Sequence, residues 1–170
     1  AVHGTVPMIA RTLDEARSKA ASVRAGIGPL LTADEAPLSW KRAWSALALT
    51  AEGTTTDPGD RIITADEAGT LIWLVDHTSH FGDASADVSA ISTHAAAAPW
   101  LLETLHAVST TDSIREAASA LGFHHSTVQE RATRASHLLG WDITHQRGKL
   151  RTQLALMLRR IGNAQSTEHG

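Results

Sequence analysis

The 170-residue chain has no cysteine. That excludes a disulfide framework, thiolate-bound zinc, iron–sulfur clusters and thiol nucleophiles, and it leaves the redox compartment open. There is no run of 18 apolar residues, so no membrane-spanning helix is expected, and no basic–apolar–small leader opens the chain. An excess of charge of one sign is also missing, with a formal net charge of only −3. What is present is a composition that can fold: 42% hydrophobic against 19% charged residues excludes disorder by composition. The length suits one ordinary domain or two small ones, and the opening Ala1 fits a piece of something longer.

The net charge averages two unlike halves. Residues 1–99 carry 7 Lys/Arg against 12 Asp/Glu, net −5, whereas residues 100–161 carry 8 against 5, net +3. The C-terminal half is therefore the one to test for nucleic acid.

The first 65 residues mix strand and helix signals. Leu13, Ala16, Ala20 and Val23 share a face of a helix predicted over 11–24. A short strand is expected at 23–28 and another at 61–64, with a helix opened by Pro37 and running to about Thr50 between them. Two strands do not bury a sheet face, so this region reads as part of a larger α/β domain, or as one completed by a second copy. Thr64-x-x-Glu67 has the form of a capping box and predicts one helix over 66–80, apolar nearly all round and so buried or at an interface. An Ala-rich helix over 86–97 follows as a connector.

The remainder is helical and sharply punctuated. Pro99 opens a helix with a Leu101, Leu102, Leu105, Val108 stripe. Ser113-x-x-Glu116 caps a second, whose face is Ile114, Ala117, Ala118 and Leu121, and Gly122 ends it. Ser126-x-x-Gln129 predicts the start of a third helix, running to Leu139 with Val128, Ala132, Ala135 and Leu139 inward. A last helix over 148–161 turns Leu150, Leu154, Met157, Leu158 and Ile161 inward. Two helices joined by a four-residue link beginning in glycine make a helix-turn-helix. With the apolar stripe inward, the outer face of the second helix carries Thr127, Glu130, Arg131 and Arg134, with Gln129 near its edge. Such a face can enter a major groove.

Three segments in order, LLETLHA (101–107), SIREAASALGFHHSTVQER (113–131) and KLRTQLALML (149–158), resemble the C-terminal domain of PucR-type transcriptional regulators. His124, Thr127, Val128 and Arg131 match the family pattern, whereas His125, Gln129 and Glu130 depart from it. RAGIGP (24–29), SWKRAWSALALT (39–50) and RIITADEAGTLIWL (61–74) resemble the latter half of a GGDEF-like domain. No GG(D/E)EF signature is present and no cyclase activity is inferred.

The resemblance implies an α+β chain: a partial GGDEF-like α/β region (1–65), a helical connector (66–97), an all-α helix-turn-helix domain (98–162) and a tail (163–170). It implies a cytoplasmic regulator that binds double-stranded DNA as a homo-oligomer, with two half-sites roughly 34 Å apart. A small-molecule effector would act at or beyond the N-terminal region. The expected DNA-facing set is His125, Ser126, Thr127, Gln129, Arg131 and Arg134, with a phosphate at the helix N-terminus. The runner-up is a protein-interaction module whose helix-turn-helix no longer binds DNA, a reading that Glu130 motivates.

No catalytic residues, cofactor or metal site are assigned. No Asp/Glu/His cluster joins His77-x-x-His80 or the pair His124 and His125, and adjacent residues do not easily face one metal. The acidic pairs Asp34–Glu35 and Asp66–Glu67 suit helix first turns rather than paired-carboxylate chemistry. Trp40, Trp44, Trp73, Trp100 and Trp141 read as core or interface anchors.

Overall fold

Strand pairing near the N-terminus depends on a missing side chain. The computed structural model of the chain describes residues 23–78 and 85–168. Strand β1 (Ala25–Ile27) runs parallel to β2 (Ile62–Thr64), with Gly26 opposite Ile63. The helix between them, α1 (Ala36–Leu49), lies on β1. A Cβ on Gly26 would stand 2.1 Å from the Ala43 carbonyl oxygen and 2.3 Å from the Leu47 nitrogen, so only glycine allows that approach. The helix predicted over 11–24 falls outside the described residues, apart from Val23 and Arg24, which are irregular.

Strand β2 passes directly into a helix because Thr64 caps it. Thr64 Oγ1 accepts from the Glu67 amide at 3.1 Å, and Glu67 Oε2 accepts from the Thr64 amide at 3.0 Å. The single helix expected over 66–80 is two: α2 (Ala65–Ala68) ends at Gly69 (φ 51°), and α3 (Thr70–Thr78) starts afresh. Nor is it buried all round. Ile72 is buried, but Leu71 and Trp73 face solvent, and Trp73 stacks on the His77 ring at 4.2 Å. Asp76 ties α3 to α1, accepting from Ser45 Oγ at 2.6 Å and pairing with Lys41 Nζ at 3.1 Å.

The C-terminal part is all helical: α4 (Ala86–Ala97), α5 (Leu101–Thr110), α6 (Ile114–Leu121), α7 (His125–Leu139) and α8 (Gln146–Glu168). Its core is built on Ile91, Leu101, Leu105, Val108, Val128 and Ile143, all sealed from solvent. The Ala-rich α4 packs into this core through Ile91 and is fastened to α8 by a two-point Asp87–Arg151 pair, both contacts at 2.7 Å.

Helix α8 serves two cores. Ala155 and Leu156 face the helical core, while Met157 and Ile161 join Ala46, Leu49, Ala65, Ala68 and Ile72 in a second, smaller one. The half-buried Arg160 clasps the loop before β2 to the same helix, pairing with Asp57 and donating to the Pro58 carbonyl. The apolar positions of α8 are therefore not all inward. Contrary to the expectation from spacing, Leu150 and Leu154 are 57% and 38% exposed. Trp40, Trp44 and Trp73 are likewise exposed rather than core anchors, whereas Trp100 and Trp141 pack half-buried on the helical core. The described residues are mostly helical with one two-stranded parallel sheet, which does not by itself amount to a GGDEF-like fold. Among the described residues no helix is long and apolar enough to cross a membrane.

Two stability measurements follow from this packing. Leu105→Ala in the sealed core should cost about 2–5 kcal/mol in urea unfolding. His106, half-buried on α5 beside Arg160, is held below its ordinary pKa by burial first and by the Arg160 charge second. The unfolded chain then takes up this proton at higher pH than the folded one. Stability from this group is complete above about pH 6.5 and is lost as pH falls from there towards the folded value. His106→Gln should flatten that part of the stability–pH curve.

Candidate nucleic-acid interface

The turn between α6 and α7 is set by local chemistry at both of its ends. Ser113 Oγ accepts from the Glu116 amide at 3.2 Å, and Glu116 Oε2 reaches back to the Asp112 amide at 2.9 Å. The preceding loop is steadied from α8, where Lys149 Nζ donates to the Thr111 carbonyl at 2.6 Å. At the far end of α6, Gly122 is left-handed (φ 70°), and Phe123 N donates to the Ala118 carbonyl at 3.0 Å. This is the glycine-terminated helix end expected from the sequence.

Helix α7 starts one residue before the expected Ser126. Its cap is His124, whose Nδ1 lies 3.4 Å from the donating Ser126 amide and 2.8 Å from Ser126 Oγ. No Ser126–Gln129 box forms. Imidazole is an uncommon cap, so residue-type preference alone pointed to the neighbouring serine.

Val128, Ala132, Ala135 and Leu139 form the buried stripe of α7. Small residues on both sides, Ala117 and Ala118 on α6 and Ala132 and Ala135 on α7, let the helices approach closely. The opposite face stays in solvent and carries Ser126, Gln129, Glu130, Thr133, Arg134 and His137. His125 is exposed at the first turn, with its ring 4.3 Å from that of His124. Thr133 and His137 lie outside the expected DNA-facing set, although a helical wheel centred on the buried stripe also places both outward.

Thr127 and Arg131 sit differently. Both are half-buried, and Arg131 faces α5. Arg131 Nη1 is 2.8 Å from Glu103 Oε1, and its guanidinium lies 4.3 Å from the Phe123 ring centroid. The expectation that Arg131 projects from the outer face is corrected by this pair, which sequence periodicity within one helix does not reveal. Arg134 keeps an exposed guanidinium 5.5 Å from the Trp100 ring centroid. Arg131 thus braces α7 against α5, and Arg134 is the guanidinium that α7 offers to solvent.

The brace can be measured. Both side chains of the pair are largely shielded, at 22% and 15% exposure. Glu103→Gln should therefore destabilise the fold by about 1.5–3 kcal/mol. Arg131→Met in the Glu103→Gln background should cost less than it does alone, because no carboxylate is then left unpaired.

Residues 101–158 match the family model of the PucR C-terminal helix-turn-helix domain, a span that covers α5 to most of α8. Neither the curated proteins nor the solved structures yield a match. The matched segment agrees with the three stretches that carry the resemblance in the sequence, while the strands and helices before it lie outside the match. Residues 101–158 are thus similar to a domain that points to DNA binding and transcription regulation.

Proposed function

We propose that this chain is a DNA-binding transcriptional regulator that inserts α7 into the major groove of double-stranded DNA. The observation that carries the reading is the open polar face of a helix whose opposite stripe is wholly buried, within a segment matching a helix-turn-helix domain. On this reading His125, Ser126, Thr127 and Gln129 lie at the groove end of the helix, and the first-turn amides meet a phosphate. Gln129 is suited to adenine, and Arg134 to guanine or phosphate. Arg131 contributes by orienting the helix through Glu103. A single α7 covers half a site, so the active form is a homodimer reading half-sites about 34 Å apart. The work of such a regulator is cytoplasmic, and the N-terminal acidic α/β region with the apolar segment 66–80 carries its assembly or effector response. The family match does not extend to residues 24–74, so their resemblance to a GGDEF-like domain rests on the sequence alone.

One observation favours a second reading. The open face presents Glu130, and Arg131 is already engaged by Glu103. A helix with one exposed guanidinium and a carboxylate suits a protein partner better than it suits bare phosphate.

Fluorescence anisotropy on duplexes selected from a random pool separates the two. Groove binding predicts an affinity that falls steeply with salt, and Arg134→Ala should reduce the log–log slope by about one. Gln129→Ala should cost about 1–3 kcal/mol at one base pair and relax the preference there. Absence of binding at low salt would assign the module to protein partners.

A further inference from the structure

The two cores leave a cleft between them. It measures about 850 Å3 and is walled by the loop before β2, by α2 and α3, by the end of α5, and by α8. Three leucines with no place in either core converge on it: Leu71, Leu150 and Leu154, which are 41%, 57% and 38% exposed. Its floor reaches the buried Leu49, Ile62 and Leu156. Its size lies within the small-molecule range of about 300–1,000 Å3.

The polar groups narrow the chemistry. Charges on the wall balance, with Arg61 and Arg160 against Asp60 and Glu67, so neither an anion nor a cation is favoured. His106 also lines the cleft, and its half-buried imidazole makes no hydrogen bond to any described residue. A neutral ring offers one donor and one acceptor. We propose that this cleft binds an uncharged, largely apolar small molecule carrying a hydroxyl or carbonyl group that hydrogen-bonds His106. Its apolar body covers Leu71, Leu150 and Leu154. The walls come from both units, so the bound molecule bridges the N-terminal unit and the helix-turn-helix unit. The inference does not depend on DNA binding.

Nile red, an uncharged aromatic dye with a carbonyl group, is a direct probe on the full chain. The expected result is saturable, one-to-one binding with blue-shifted emission and a raised Tm. Leu154→Gln or Leu71→Gln, at positions already partly in solvent, should weaken binding at least tenfold, with circular dichroism checking the fold. Trp40→Gln removes an exposed apolar side chain outside the cleft and should leave binding unchanged. His106→Phe keeps the bulk but loses the polar atoms, and should weaken binding about threefold to tenfold. Absence of saturable binding, or loss in Trp40→Gln but not in the leucine variants, overturns the proposal. Signal that disappears as protein concentration rises assigns the leucines to a second copy and also overturns it. An unaltered affinity in His106→Phe removes the hydrogen bond from the account.

Discussion

Burial of the Val128 stripe is the constraint on which the rest of the helical unit depends. Val128, Ala132 and Ala135 have no contact with solvent, and their neighbours across the interface are the alanines of α6 and the Leu101–Leu105 floor of α5. Side chains this small hold the helices close, which fixes the angle of α7 and turns its polar residues outward. Gly122 makes the reversal possible, while the Glu103–Arg131 pair resists rotation of α7 about its own axis. The same device has a cost in charge. A guanidinium spent on bracing is one fewer for phosphate, and the open face is left chemically mixed.

Helix α8 links this unit to the rest of the chain. A single helix contributes Ala155 and Leu156 to one core and Met157 and Ile161 to the other, so neither core is complete without it. Arg160, Arg151 and Lys149 reach from it to the loop before β2, to α4 and to the loop before α6. Displacement of the N-terminal unit would therefore be felt at the base of the helix-turn-helix through one rigid element. The exposed leucines on α8 mark where the two units fail to close on each other.

Much of the helical architecture was legible in the sequence, because it is written in local signals. The Ser113 cap, the Gly122 reversal and the buried stripes of α5 and α7 depend on residues a few positions apart, and the structure shows each of them. The errors fall where the deciding partner is distant in sequence. Leu150 and Leu154 have helical spacing like their neighbours, but their side of α8 meets a gap between two cores. Arg131 reads as outward until Glu103, from another helix, is placed beside it. Trp40 and Trp44 read as anchors by size, yet their side of α1 is turned away from the sheet and both cores. The break at Gly69 was legible in principle, since a glycine five residues after the cap is an ordinary helix stop. The apolar run that follows it masked that signal.

Contact of the outer face of α7 with DNA would be reported directly by backbone amide shifts. A nitrogen-15-labelled chain titrated with a selected duplex should show its largest shifts along His125–Arg134 and in the turn at Gly122–His124. Residues of α1 and α3 should be unmoved. Shifts centred on α1 or α3, with α7 silent, would contradict the account.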